Sequence, residues 1–369
     1  MEDIAYPLLL QPRYDEKLWG GRRLETVLGK TLPTDAPVGE SLESGDSATV
    51  TNGPLAGQTL GELAARYPAA LLGRRGERAS EPFRDFPLLV KFIDATDILS
   101  LQVHPDDDAA APLGKRGKTE AWHIIHADPD ATLITGLRAG VTAQQVREAI
   151  AQGTFEDLIL REPVRTGDTL IVPAGTVHAI DAGILLYEIQ ENSDITYRLY
   201  DWGRVDSQGR PREVHVDDAL RAMVPGRRAV TTVPLARDER RTVLAACRYF
   251  TLERWSVQGD LPVPDTGGAS FWLLSTIAGE CAVRAGDATV SLAAGQTVLL
   301  PACLSGATLT GEATVLAGWI ADLAHDVVGP LLDAGHDPEQ IGLLGGATGD
   351  LLGALALAQR ERARRRGRT

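Results

Sequence analysis

The 369-residue sequence predicts a mainly β protein made of two successive barrels, with inserted helices and a helical C-terminal tail. Three observations carry that expectation. Polar and apolar residues alternate in several short runs, as in L-S-L-Q-V-H at 99–104, which is the period of a strand with one buried face. Glycine and proline punctuate those runs as turns. The stretch at 167–178, G-D-T-L-I-V-P-A-G-T-V-H, returns at 295–306 as G-Q-T-V-L-L-P-A-C-L-S-G, so one strand-and-turn unit is used twice. The expected divisions are a first barrel with helical insertions over 1–229, a second barrel over 230–321, and a helical, basic tail over 322–369.

Taken in order, residues 1 to 55 read as short strands and turns, with Gly20-Gly21 as a structural turn. Residues 59–74 read as a helix with Leu60, Leu63, Ala64 and Tyr67 on one stripe and a break at Pro68. Residues 74–84, rich in arginine, read as an exposed loop. After the central strands, Thr142 caps a helix that closes at Gly153, and a second short helical segment follows. I-L-L-Y-E-I-Q at 184–190 is a strand, with Glu188 facing opposite to Tyr187 and Ile189. A carboxylate in so apolar a strand is costly unless paired, so it is expected to face a polar cavity. Residues 215–223 begin another helix, with Asp217 and Asp218 at its positive end. From about 230 strands return, including C-R-Y-F-T-L-E-R-W at 247–255. The end of the chain holds six arginines between 360 and 368 and reads as a basic helix terminus or a solubilising end.

Composition bounds the function. A net charge of −13 argues against a nucleic-acid partner, which would require clustered Lys and Arg. A small anionic substrate needs only a local basic patch, for which Lys91, Lys118 and Arg198 are available. Cys247, Cys281 and Cys303 have neither framework nor metal-type spacing, and the opening M-E-D-I-A-Y lacks a basic and apolar leader, which together predict a cytoplasmic protein. No run approaches the roughly 18 apolar residues of a membrane span.

The chemistry concentrates between positions 91 and 198. With 99–104 extended, Ser100, Gln102 and His104 share a face; with 118–122 extended, Lys118, Glu120 and Trp122 do. Two adjacent strands then offer an amide oxygen, an imidazole and a carboxylate to one cavity. His178 follows a tight turn at Pro173 and Gly175. The spacing Gly, five residues, Pro-x-Gly, two residues, His resembles the second signature of cupin barrels, whose His is a metal ligand. The set Gln102, His104, Glu120 and His178 suits zinc, which takes N and O ligands at roughly 2.0–2.2 Å. His123 and His126 read instead as hydrogen-bonded strand residues. In the second copy of the unit Gly306 stands where His178 does, so the second barrel is expected to be metal-free and the chain to hold one metal.

Q-V-H-P-D-D, K-T-E-A-W-H-I, P-A-G-T-V-H-A-I and Q-E-N-S-D-I-T-Y-R, in this order and spacing, make the chain resemble the type I mannose-6-phosphate isomerases in their shorter bacterial form, over roughly residues 5 to 320. The resemblance implies one zinc held by Gln102, His104, Glu120 and His178, and an active-site arginine at Arg198. It also places Lys91, Lys118, Glu188 and Ser100 in the pocket. The implied reaction interconverts mannose 6-phosphate and fructose 6-phosphate through an enediol. Such chemistry needs a base, an electrophile and a phosphate anchor. Lys118 and Glu188 are both candidates for the base. Lys91, Ser100 and a share of Arg198 are candidates for the phosphate, with Lys115 and Arg116 approaching from the rim. The implied partner is a small sugar phosphate, with no nucleic acid and no membrane. Leu42 departs from the tryptophan expected in close relatives. Two other readings are a non-catalytic cupin that binds sugar phosphate in a regulatory role and an iron cupin dioxygenase.

Overall fold

A computed structural model describes residues 4–205 and 208–366; residues 1–3 of the opening and 367–369 of the arginine-rich end lie outside the described residues. The strands of the first half are β1 (Leu8–Gln11), β2 (Arg13–Gly21), β3 (Val38–Leu42), β4 (Thr49–Val50), β5 (Leu88–Ala95), β6 (Leu101–Val103), β7 (Glu120–Ala127), β8 (Thr132–Leu137), β9 (Ile159–Pro163), β10 (Thr169–Val172), β11 (Ala179–Ile180), β12 (Ile184–Glu191) and β13 (Tyr197–Tyr200). Those that follow are β14 (Val230–Thr231), β15 (Leu235–Ala236), β16 (Arg241–Ala246), β17 (Thr251–Pro262), β18 (Trp272–Ala285), β19 (Ala288–Ala293), β20 (Thr297–Leu300) and β21 (Thr308–Trp319).

Two large antiparallel sheets share one strand order. The first runs β14-β10-β7-β12-β5-β3-β2, and the second runs β1-β20-β18-β21-β17-β16-β15, with β4 beyond β1 and β19 paired to β18. The repeated stretch forms β10 in one and β20 in the other, each entered from a glycine in the left-handed region (Gly167, φ 95°; Gly295, φ 82°). The strand beside β20 is β1, with β4 beyond it, so the first fifty residues supply that side of the second sheet. Two small sheets, β11-β8-β9 and β13-β6, complete the first unit.

The alternation of side chains explains the layering. Phe92, Ala121, Tyr187 and Ile189 leave the back of the first sheet and join Leu252, Leu273, Leu299 and Leu316 of the second in one shared core. Burying each large apolar side chain contributes about 1.5–3 kcal/mol, so the two sheets are stabilised mainly by each other. The approach is close: a Cβ on Gly318 would meet Ile189 Cδ1 at 2.8 Å. Each sheet's other face covers an interior of its own.

Three local expectations are corrected. The arginine-rich stretch after Pro68 is a helix, Pro68–Ser80, bent at Gly73, because Leu71, Leu72 and Gly76 dock against the second sheet near Phe271 and leave the charges outside. Gly20 and Gly21 lie within β2 and make no turn; a Cβ on Gly20 would meet Gly39 N at 2.5 Å, so the pair permits a close approach of β2 to β3. Cys247 to Phe250 turn before β17 begins at Thr251. The capping signal holds: Thr142 forms a capping box with Gln145 and Gly153 ends that helix at φ 72°. The tail forms helices, the last being Asp350–Arg366, with Leu351, Leu355 and Ala358 packed on Val327, Val328 and Leu331. Among the described residues no helix is long and apolar enough to cross a membrane.

Candidate metal centre and active site

The polar cleft of the first unit lies between the large sheet, which contributes Glu40, Lys91, Glu120, Trp122 and Glu188, and the small strands that bring Gln102, Ala179 and Ile180, with His178 beside them. Register sets this grouping. Glu188 is opposite Trp122 on one side and Lys91 on the other, and Gln190 is opposite Glu120, so alternate residues of β5, β7 and β12 face the same way. Gln102 and His178 exchange backbone hydrogen bonds at 2.9 and 3.0 Å, which brings the two sequence-distant ligand stretches together.

His104, Glu120 and His178 are 2%, 1% and 3% exposed, and one ligand atom of each lies within 4.8 Å of the others. His178 Nε2 is 3.3 Å from Glu120 Oε1, and His104 Nε2 is 3.6 Å from Glu120 Oε2. The protonation of both rings follows from their partners. His104 Nδ1 faces the Ile195 carbonyl at 3.0 Å and His178 Nδ1 faces the Thr176 carbonyl at 2.9 Å. A carbonyl only accepts, so each Nδ1 carries the hydrogen and each Nε2 presents a lone pair. Burial holds the pKa of both imidazoles below the ordinary value, His104 further lowered by Lys118. Two bare ring nitrogens therefore face a carboxylate, an arrangement of electron-rich atoms that a cation between them would convert from repulsion to attraction. Glu120 Oε2 accepts no well-directed hydrogen bond although it is buried. The donor set of two imidazoles and one carboxylate fits a divalent ion of the zinc kind.

Charges alternate through the rest of the cleft. Lys118 Nζ is 3.0 Å from Glu120 Oε2 and 4.0 Å from Glu188 Oε1; Lys91 Nζ is 2.9 Å from Glu188 Oε1 and 3.8 Å from Glu40 Oε1. Lys17 joins Glu40 at 3.3 Å. Burial alone would lower Lys91, but Glu188, Glu40 and Glu120 outweigh it and hold the ammonium above its ordinary value. Burial likewise opposes ionisation of Glu120, yet Lys118, His178 and Lys91 bring its pKa below the ordinary value. Counting Lys17, three lysines meet the three carboxylates Glu40, Glu120 and Glu188, so the charges of the cleft balance.

Of the residues singled out in the sequence, Gln102, His104, Glu120, His178, Lys91, Lys118 and Glu188 converge. Ser100 is buried and accepts a hydrogen bond from Gln102 Nε2 at 3.1 Å, which leaves Oε1 as that amide's free end. Arg198 stands across the β6–β13 ladder from Gln102, but its Nη1 donates to the Glu213 carbonyl at 2.7 Å and the guanidinium does not line the cleft. Lys115 and Arg116 are corrected: Lys115 pairs with Asp194 at 2.9 Å and Arg116 with Asp85 at 2.5 Å, and both face a different cavity, so neither stands at the rim of this cleft. Two contributors were missed. Glu40 and Lys17 arrive from β3 and β2, and nothing local in V-G-E-S-L announces that partnership. Trp122, placed on the right face by alternation, has a further role: its Nε1 donates to Glu188 Oε2 at 2.8 Å.

Comparison with known proteins agrees with this geometry. Residues 8–123 match the catalytic domain of type I phosphomannose isomerases and residues 240–318 match the cupin domain of mannose-6-phosphate isomerases. The chain is 35% identical over 321 residues to a mannose-6-phosphate isomerase of Streptococcus mutans, covering 85% of this chain and 98% of the relative. It is 36% identical over 317 residues to the mannose-6-phosphate isomerase ManA of Bacillus subtilis, covering 83% and 96%. The crystal structure of a Bacillus subtilis mannose 6-phosphate isomerase superposes with a TM-score of 0.75 at 33% identity, over 85% of this chain and 99% of that one. Likeness of this extent, spanning both sheets and the ligand cluster of the first unit, makes the chain a member of the type I phosphomannose isomerase family.

Proposed function

We propose that the protein is a zinc-dependent aldose–ketose isomerase that interconverts mannose 6-phosphate and fructose 6-phosphate. The observation that carries the reading is the convergence of His104 Nε2, His178 Nε2 and the Glu120 carboxylate, with their hydrogens turned away, beside a buried lysine and a second buried carboxylate. His104, Glu120, His178 and the free amide oxygen of Gln102 would hold one zinc per chain. Bound there, zinc would supply a Lewis acid for the substrate oxygens at C1 and C2.

The chain's own residues would do the rest. Lys118 and Glu188 stand side by side as the pair able to take the proton from one of C1 and C2 and return it to the other, and the Trp122 indole fixes the carboxylate of that pair. Lys91, held protonated between Glu188 and Glu40, offers positive charge to the phosphate, with Ser100 behind Gln102 as a second contact. Arg198 has a buried Nε without a partner, a donor free to meet a developing oxyanion once the guanidinium swings from the Glu213 carbonyl. The cleft holds about 40 Å³, little more than the share of one water molecule, so a hexose phosphate must widen its mouth to bind.

The same reading assigns residues 1–229 to catalysis, 230–321 to a metal-free support and 322–369 to a helical tail. It takes the protein as a cytoplasmic enzyme, in keeping with its free cysteines, two of them buried. The test is a coupled assay over several sugar phosphates. Turnover on mannose 6-phosphate that disappears with chelator and returns with zinc supports the assignment. Binding of fructose 6-phosphate with no product formed would identify a binding protein instead.

A further inference from the structure

A second and larger cavity, of about 700 Å³, opens at the seam between the bent helix Pro68–Ser80, the loop that joins β6 to β7, and the end of the second sheet. Its size falls within the ordinary range for small-molecule sites, roughly 300–1,000 Å³. It shares no lining residue with the metal cleft.

Its walls have a definite chemistry. Two aromatic rings line it, each carrying a stacked guanidinium: Arg116 over Phe83 at 4.9 Å and Arg248 over Tyr249 at 5.5 Å. Phe83 is 38% exposed, unusual for so large an apolar side chain. Of the lining cations, Arg78 has no partner among the described residues, and the buried Arg116 Nε has none either. Two of the lining acids are already engaged. Asp107 accepts from Gly117 N and from the Tyr249 hydroxyl, both at 2.9 Å; Glu191 accepts from Thr119 N at 2.8 Å. Burial and the neighbouring Asp107 push Glu191 up to about 8, so it enters the cavity as a neutral acid at pH 7. Flat apolar surface and the unpaired Arg78 guanidinium in one cavity suit a ligand that joins a planar ring to a phosphate.

The cavity is also wired to the metal cleft. Glu191 binds the backbone of Thr119, which separates Lys118 from Glu120. Ser193 Oγ donates to the Arg116 carbonyl at 2.8 Å, and Lys115 pairs with Asp194, whose neighbour Ile195 supplies the carbonyl that orients His104. Anything that moves the wall at 115–116 therefore moves the support of a ligand histidine and of Lys118.

We propose that this seam cavity is an effector site for a nucleotide-class ligand, and that its occupancy is transmitted to the isomerase cleft through the 107–118 loop. The coupling rests on the isomerase reading, whereas the binding does not.

The experiment titrates the full chain with ADP and, separately, GDP by calorimetry, with inorganic pyrophosphate and adenosine as the two halves of the ligand, and then repeats isomerase kinetics at saturating nucleotide. The expected result is one nucleotide per chain, not displaced by mannose 6-phosphate, bound more tightly than either half. Arg78→Glu and Phe83→Ala should each weaken it about tenfold or more, Arg78→Glu while leaving nucleotide-free turnover unchanged, and bound nucleotide should shift the apparent KM about fivefold in either direction. Neither nucleotide binding at millimolar concentration, binding that mannose 6-phosphate displaces, or binding indifferent to both substitutions would each overturn the site. Binding at the site with unchanged kinetics would overturn the effector role. An inactive protein that still binds nucleotide would refute the isomerase reading and leave the site standing.

Discussion

The two large sheets pose the same positions with different side chains, and register pairs them residue by residue. Through its pairing with β10, Glu120 occupies the place that Trp272 holds against β20. Glu188 corresponds to Ala317, Gln190 to Trp319 and Lys91 to Glu253, and the place of His178 is Gly306. Where the first sheet keeps a polar cleft, the second is filled by Trp255, Trp272 and Trp319, with ring centroids at 4.9 and 4.4 Å from one to the next. One backbone thus supports either a hollow lined by charges or a dry core. Chemistry here belongs to the side chains set on the scaffold rather than to the scaffold itself.

The comparison breaks most visibly at its central pair. Glu120→Ala should lose the metal and lower turnover about 10³-fold or more, since a Lewis acid supplies several kcal/mol to the transition state. Trp272→Ala should keep the metal and the turnover per folded molecule but cost about 3–5 kcal/mol of stability, read from chemical denaturation. If Trp272→Ala emptied the metal site as Glu120→Ala does, the apolar filling of the second sheet could not be separated from the chemistry of the first.

The next effects separate support from chemistry within the first unit. Arg198→Ala should lower kcat about 10²-fold with little change in melting temperature. Equal losses in both would make it a structural arginine. Trp122→Phe removes only the indole donor from Glu188 and should cost about tenfold in kcat together with about 1–3 kcal/mol of stability for the carboxylate left short of a partner. A kcat equal to that of the native enzyme would show that Glu188 needs no such anchor.

The smallest effect contrasts the buried carboxylates. Lysines hold Glu120 below its ordinary pKa, whereas burial raises Glu253 despite Arg237 at 2.7 Å and the Trp255 indole at 2.8 Å. A raised folded pKa favours the neutral acid, so Glu253's contribution is fully present below the unfolded carboxylate range and is lost as pH rises through the folded value. The stability advantage of Glu253→Gln over the native protein should therefore widen as pH rises above about 4.5, in melting curves taken across that range. A constant difference would mean Glu253 titrates alike in the folded and unfolded chain.

What the sequence revealed of this site was local in origin. Alternation puts Gln102 with His104, and Lys118 with Glu120 and Trp122, because a strand's period is a property of the strand alone. The Gly and Pro spacing before His178 recurs before Gly306 because the turn is needed twice. What escaped is set by distant partners. Glu40 and Lys17 reach the cleft through pairings of β2, β3 and β5 that no short window encodes. The carbonyls of Ile195 and Thr176 that set both imidazole tautomers are backbone atoms without a residue signature. Lys115 and Arg116 face the seam cavity because Asp194 and Asp85 draw them there. The arginine-rich stretch after Pro68 is helical because its apolar stripe docks on a sheet nearly 200 residues away.

The central claim is that two imidazoles and one carboxylate share a single ion on which turnover depends. The direct measurement is metal content and coupled isomerase activity on the same preparations of the native protein and His178→Ala. About one zinc per native chain, with metal and turnover lost together in the variant, is the expected result. Full turnover in native protein stripped of metal, or a His178→Ala chain that retains both, would contradict it.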